Sequence, residues 1–221
     1  MIKAIFAFDF SISKPAMCAL INKKIYFYTW PALLDEKSEA ILKNNNVNVY
    51  NRNIQPISKK CLDSNSLVIE HIKRSETLTD LIKNDIIKLI NEHSLKNEEI
   101  IISSEGLSFG SKGDATLNLA AYKQVLLNKL FSIGLFNIKT YSPISIKSVA
   151  GCSKKGKTDK KSVIDAIKEE NPNLHKFIKT IIFEEHSLKK KTAFIPTVDD
   201  LVDAFWCLKT TIIKEELNIC I

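Results

Sequence analysis

The chain has 221 residues, of which 45% are hydrophobic, and this is enough for one domain with a proper core. Its formal net charge of +7 favours an acidic partner such as nucleic acid. Five scattered cysteines without a Cys-x-x-Cys pair argue against a zinc site or a disulfide framework. No apolar segment approaches a membrane span and no signal-peptide pattern is present, so we expect no membrane partner and a cytoplasmic protein, or a nuclear one if the host has a nucleus.

The first predicted strand is a near-continuous apolar run over residues 2–8 that ends on Asp9. Such a run is typical of a strand that is buried on both faces. A carboxylate at its end is costly to bury unless a cation accompanies it. Asp9 therefore either caps the turn at 11–15 through its side chain or belongs to a site, and the other acidic residues must decide between the two.

The rest of the chain alternates strands with helices. Two strands, at 16–21 and 25–30, predict an antiparallel meander, and the polar segment 31–65 predicts an irregular insert with one more strand at 47–50. The elements predicted after the insert are a helix at 77–93, strands at 100–104 and 137–141, and helices at 115–131, 143–149, 159–170 and 198–217. We predict an α/β fold with a mixed central sheet flanked by helices, and one domain over 1–221.

Four carboxylates are candidates for a site. Asp9 and Glu105 each end a strand, and Asp200 and Asp203 project from one side at the start of the last helix because they are three residues apart. Functional sites of α/β sheets gather at strand ends. Oxygen ligands without a nearby histidine or cysteine favour Mg²⁺ or Mn²⁺. Such ions can orient an attacking water and neutralise the leaving oxygen of a phosphodiester.

Simpler explanations exist for some of these residues. Thr197 followed by Asp199 and Asp200 fits a helix N-cap with acidic residues in the first turn, where the helix dipole favours them. This explains Asp203 poorly, because Asp203 lies past the first turn among apolar residues. Glu105 taken alone could be an acidic loop residue. The four histidines have no metal-ligand spacing and receive no role.

Lysines and one aromatic residue are candidates for nucleic-acid contact. The lysines within fifteen residues of one another are Lys147, Lys154, Lys155, Lys157, Lys160 and Lys161. A run of this kind is usually a solvated face, but here it includes the glycine-flexed loop 151–158 near the predicted site, which suits phosphate contact. Phe109, in the glycine-rich loop 106–113, is either a core residue or an exposed wedge that stacks on bases.

Taken in order, segments 6–11, 104–113, 141–160 and 200–204 resemble the RuvC-type Holliday junction resolvases, especially the divergent forms of phages and large DNA viruses. The resemblance implies a ribonuclease-H-like fold, a homodimer, Mg²⁺-dependent cleavage with Mn²⁺ as a substitute, and four-way DNA junctions as substrate. Asp9, Glu105, Asp200 and Asp203 would be the catalytic, metal-binding carboxylates. Lys147 and Lys160 would match basic residues that face the DNA backbone, and Phe109 and Lys112 would belong to the DNA-contacting loop.

The sequence also departs from that family. The segment 31–65 is longer than the bacterial pattern, which leaves other branched DNA open as a substrate. The aromatic residue Phe109 follows Glu105 by four positions rather than three. Two alternatives to a junction endonuclease stay open at this point: a ribonuclease-H-like nuclease acting on RNA or RNA–DNA hybrids, and a non-catalytic nucleic-acid-binding protein of the same fold.

Overall fold

A six-stranded sheet lies at the centre of the fold. The computed structural model describes residues 1–55, 63–106, 113–152, 160–189 and 196–219, without side-chain placement at 114, 115, 160, 161, 183–189, 196 and 197. The strands are β1 Ala4–Asp9, β2 Ala16–Ile21, β3 Lys24–Thr29, β4 Val47–Val49, β5 Ile100–Glu105 and β6 Ile138–Tyr141. The helices are α1 Glu36–Asn44, α2 Ser64–Glu92, α3 Asp114–Ser132, α4 Pro143–Val149, α5 Lys160–Glu170, α6 Pro172–Lys189 and α7 Pro196–Lys214.

The order of the strands across the sheet is β4-β3-β2-β1-β5-β6. β1, β2 and β3 form an antiparallel meander, and β5 and β6 continue the sheet parallel to β1. β4 extends the other edge, parallel to β3. A meander that is joined through its first strand to a parallel pair is the ribonuclease-H-like arrangement, and the predicted fold class is confirmed.

β1 is central and buried on both faces, as its apolar run predicts. Phe6 and Phe8 belong to a core formed with α2 and α3, whereas Ile5 and Ala7 belong to a second core with α7 on the opposite face. Because β1 and β5 run parallel, with Phe8 beside Ser104, both strands end at the same edge of the sheet. Their last residues, Asp9 and Glu105, therefore lie at one end of the molecule.

α7 packs across the face of the sheet that carries Ile5 and Ala7. Its apolar residues recur at helical spacing, and Val198, Leu201, Phe205 and Leu208 are all buried. The helix begins at a proline, which is well tolerated there because the first N–H groups of a helix have no intrahelical partner. The buried stripe fixes the rotation of α7 about its own axis. This rotation determines the direction in which the acidic residues of the first two turns point.

The segment 31–65 differs from the irregular insert that we expected. It contains α1, whose N-cap Asp35 accepts a hydrogen bond of 3.0 Å from the backbone N–H of Ser38. Ile41 and Leu42 of α1 are buried in the core on the α7 side. β4 then joins the sheet at the edge of β3, close to the strand predicted at 47–50. This segment therefore extends the sheet and covers part of its face.

Two helices also differ from expectation. α2 has 29 residues and begins at Ser64 rather than at residue 77. None of the residues from Ser64 to Arg74 is buried, and Val68 and Ile72 are exposed, so a core-facing periodicity is absent there. α6 occupies Pro172–Lys189, a stretch for which the sequence analysis predicted no element. No helix in the described part of the chain is long and apolar enough to cross a membrane.

Candidate active site

Four carboxylates influence one another at the end of the sheet where β1 and β5 finish. Burial raises the pKa of Asp9 well above its usual range, and the negative charges of Asp200, Asp203 and Glu105 raise it further. All four residues are the ones that the sequence singled out. The sheet brings the two strand ends together, and α7 adds the other two carboxylates from above one face.

Asp9 and Asp200 are joined by a hydrogen bond between their side chains. This contact raises the pKa of Asp9 and opposes the rise at Asp200. Burial is also the main cause that raises the pKa of Asp200. Two carboxyl groups in contact cannot both ionise at low cost in a partly dry site, and a shared proton is the usual solution when no cation is present.

Two lysines act on Glu105 through their positive charges. Burial raises the pKa of Glu105, while the positive charges of Lys147 and Lys123 act in the opposite direction. Lys147 is exposed on α4, and its predicted contact with the DNA backbone stays a prediction. The acidic cluster therefore has cations on its rim and beneath it.

Lys123 is a residue of the site that the sequence analysis missed. Its side chain is buried, and its Nζ donates a hydrogen bond to the backbone carbonyl oxygen of Glu105. Burial lowers the pKa of Lys123, and the charges of Glu105 and Asp9 counteract this. A signal was present, because Lys123 follows the inward-facing Leu119 by four residues and so lies on the same face of α3.

Asp199 was predicted as an acidic residue in the first turn of the last helix, where the helix dipole favours it. It lies in the first turn of α7, as expected, but only 6% of the residue is exposed. Its negative charge contributes to the raised pKa of Asp200. Asp199 therefore lies next to the acidic cluster, although it is not among the residues that act on Asp9.

The donor chemistry of this cluster fits a hard divalent cation. All its side-chain donors are carboxylate oxygens, the ligands that Mg²⁺ and Mn²⁺ prefer. Within the described residues, no three Asp, Glu, His or Cys side chains already form a set that could hold an ion as they stand. The carboxylates are neighbours whose mutual repulsion is partly offset by Lys123, and a divalent cation would offset it more fully.

Most of the other predicted DNA-contacting residues cannot be placed. Phe109, Lys112, Lys154, Lys155 and Lys157 lie outside the described residues. Lys160 and Lys161 begin α5, and their side chains are outside the described part as well. These assignments stay predictions. Among the predicted DNA-binding lysines, Lys147 has a described side chain and lies beside the carboxylates.

Comparisons with known proteins gave structural neighbours only. No family model matches the sequence, and no curated protein matches it. One structural neighbour is Thermus thermophilus RuvC in complex with a Holliday junction substrate, with a TM-score of 0.46, 9% identity, and coverage of 98% of this chain and 96% of that chain. Another is a Thermus thermophilus RuvC structure, with a TM-score of 0.46, 11% identity, and coverage of 97% and 96%. We draw no functional conclusion from these similarities.

Proposed function

We propose that this chain is a divalent-metal-dependent endonuclease that cuts four-way DNA junctions and accepts other branched DNA. The observation that carries the proposal is the convergence of four carboxylates at one sheet end, where the side chains of Asp9 and Asp200 are in contact. Structural carboxylates are usually paired with surface cations, so a buried group of four that repel one another is costly to keep. Buried, mutually perturbed acids of this kind are typical of functional sites.

In this proposal Asp9, Glu105, Asp200 and Asp203 hold Mg²⁺, for which Mn²⁺ can substitute. The bound ion would supply charge neutralisation at the phosphodiester and orientation of the attacking water. Lys123 holds the end of β5 through the carbonyl oxygen of Glu105 and so fixes the direction of that carboxylate. Lys147, exposed beside Glu105, would contact a phosphate of the bound strand.

We further propose that residues 1–221 act as one nuclease domain and that two copies assemble as a homodimer. A twofold dimer presents two equivalent sites, which suits a junction whose two opposed strands must both be cut. The lysine-rich loop 151–158 and Phe109 would contact the DNA around the crossover.

A metal-dependence assay tests this function with three substrates: a four-way junction, a linear duplex of matched sequence and an RNA–DNA hybrid. We expect cleavage of the junction in Mg²⁺ or Mn²⁺, no cleavage in EDTA, and little cleavage of the linear duplex. Preferential cleavage of the hybrid would instead assign the chain to ribonuclease-H-like RNA degradation. Binding without cleavage in any metal would identify a non-catalytic protein.

A further inference from the structure

A cavity of about 460 Å³ opens beside the candidate active site. Ser13 and Lys14, in the loop that follows Asp9, form part of its wall. Lys14 precedes by two residues Ala16, which pairs with Asp9 across β1 and β2, so this wall is near the carboxylates. Tyr122 on α3 also lines the cavity, and the next residue is Lys123, which holds Glu105. The volume falls within the range of about 300–1,000 Å³ that is typical of small-ligand pockets.

One side of the cavity is cationic. Lys14, Arg52 and Arg74 line it, and none of the described lining residues is acidic. Arg74 is paired with Glu70 on α2 at 2.6 Å and donates from Nη1 to the backbone oxygen of Gln55 at 2.8 Å. This leaves Arg52 as the cation that has no carboxylate partner within the described part of the chain.

Arg52 is held in place by backbone oxygens. Its Nε donates to Trp30 at 2.9 Å, and its Nη2 donates to Ile12 at 2.8 Å and to Ser13 at 3.4 Å. Nη1 has no hydrogen-bond partner among the described residues. Burial lowers the pKa of Arg52 to about 10, with Tyr122 opposing this and the nearby charge of Arg74 adding to it. The guanidinium is therefore still charged at neutral pH, partly dehydrated and without a counter-ion, which favours an anion.

The rest of the cavity wall is aromatic and apolar, and this indicates which chemical group is attached to the anion. His71 and Tyr122 meet edge to face, with ring centroids 6.1 Å apart, and the His71 Nδ1 lies 3.3 Å from the Tyr122 hydroxyl oxygen. Ile12, Leu33 and Ile54 add apolar surface. A nucleobase can pack on such a wall, as bases do on aromatic and apolar side chains in single-strand-binding proteins. The phosphate of the same nucleotide could then reach Arg52.

We propose that this cavity binds one nucleotide, its phosphate at Arg52 and its base against the aromatic and apolar wall. The inference rests on the proposed function, since the nucleotide that lies nearest is an unpaired or extruded one in the DNA strand beside the crossover. A free mononucleotide has the same chemistry and is the second possible source. Leu33, at 46% exposure, stands at the rim, where a nucleotide would enter.

Two variants and a matched control test the cavity. Arg74→Gln removes one lining charge, and Leu33→Glu places a negative charge at the exposed rim without disturbing the core. Lys88→Gln is the control, because Lys88 also lies on α2 and forms an i,i+4 ion pair, with Glu92, but does not line the cavity. All proteins carry Asp9→Asn so that no DNA is cut, and thermal unfolding verifies that each variant is folded.

The readout is the fluorescence of 2-aminopurine placed singly at each position around the crossover, together with junction affinity. We expect the parent protein and Lys88→Gln to raise the fluorescence at a position beside the crossover. Arg74→Gln and Leu33→Glu should abolish that rise and weaken binding roughly tenfold. Equal signals and affinities for all proteins would overturn a DNA nucleotide in the cavity.

The second arm uses deoxynucleoside monophosphates alone. Saturable stabilisation of the parent by a monophosphate, lost in Arg74→Gln and Leu33→Glu and without a 2-aminopurine response, would assign the cavity to a free nucleotide. Absence of both responses overturns the inference. A parent protein that fails to bind junctions at all contradicts the proposed function instead, and the monophosphate arm still decides the cavity.

Discussion

Lys123 donates a hydrogen bond from its Nζ to the backbone carbonyl oxygen of Glu105. This bond ties the middle of α3 to the end of β5, beneath the acidic cluster. Lysines are almost never this buried unless paired, and the charges of Glu105 and Asp9 favour the protonated form here. Lys123 thus brings a positive charge close to the carboxylates and partly balances them.

Replacing Lys123 with methionine should destabilise the metal-free protein and increase its response to metal. Loss of a charge-assisted hydrogen bond costs about 1.5–3 kcal/mol of unfolding free energy. The site then becomes more negative by one charge, so the Mg²⁺ concentration that gives half of the maximal stabilisation should fall roughly tenfold. Thermal unfolding in EDTA and across a Mg²⁺ titration measures both effects.

Lys129→Met is the matched control for that variant. Lys129 lies on the same helix and forms ion pairs with Glu76 at 2.6 Å and Asp80 at 2.9 Å, away from the acidic cluster. The Lys129→Met variant should lose stability without any change in its response to Mg²⁺. If Lys123→Met responds to Mg²⁺ as the wild type does, Lys123 is a structural residue with no effect on the metal site.

Asp203 and Asp199 should respond in opposite ways to substitution by asparagine. The charge of Asp203 raises the pKa values of Asp9 and Asp200, so Asp203→Asn should relieve repulsion, raise the melting temperature of the metal-free protein and abolish Mg²⁺-dependent cleavage. Asp199→Asn removes a favourable negative charge from the helix start and relieves only the weaker of the two repulsions on Asp200, so it should cost at most about 1 kcal/mol of stability and leave turnover nearly unchanged. Melting temperatures with and without Mg²⁺, and single-turnover cleavage, compare the two variants. Near-wild-type cleavage by Asp203→Asn would remove α7 from the active site.

Neutralising Lys154, Lys155 and Lys157 together should weaken junction binding and flatten its salt dependence. Each lost phosphate contact should lower the log–log slope by roughly 0.9. A control variant neutralises Lys23, Lys24 and Lys96, which lie near the opposite end of the sheet from Asp9. An equal log–log salt slope in the wild type and in the variant that neutralises Lys154, Lys155 and Lys157 would show that the loop 151–158 is only solvated surface.

The strands, and the placement of Asp9 and Glu105 at one edge of the sheet, could be predicted because they follow from local sequence patterns. β1 and β5 are apolar runs, each closed by a carboxylate, and their parallel pairing necessarily places Asp9 and Glu105 at one edge. The first half of α2 could not be predicted, because Val68 and Ile72 face solvent and give no core periodicity. There the capping by Asp63, which accepts from the backbone N–H of Ser66 at 2.9 Å, was the better signal.

Parts of the site required tertiary structure. The hydrogen bond between Asp9 and Asp200 depends on the rotation of α7, which the buried stripe of that whole helix sets. The counter-charge of Lys123 depends on how α3 packs beneath β5. The cavity depends on Arg52, whose three backbone acceptors come from the loop after β1 and from the end of β3. Of these features, only the inward position of Lys123 has a pattern within one segment of the sequence, and its partner Glu105 does not follow from that pattern.

The central claim is that the carboxylate cluster around Asp9 catalyses metal-dependent cleavage of branched DNA. The most direct measurement is single-turnover cleavage of a four-way junction in Mg²⁺ by the wild type and by Asp9→Asn, with junction affinity and thermal unfolding of the same samples. Asparagine keeps the shape of the side chain and removes its charge, so the variant should fold, bind the junction with near-wild-type affinity and cleave slower by at least about three orders of magnitude. Cleavage by Asp9→Asn at the wild-type rate, or loss of its cooperative unfolding transition, would contradict the account and leave Asp9 as the cap of the turn after β1.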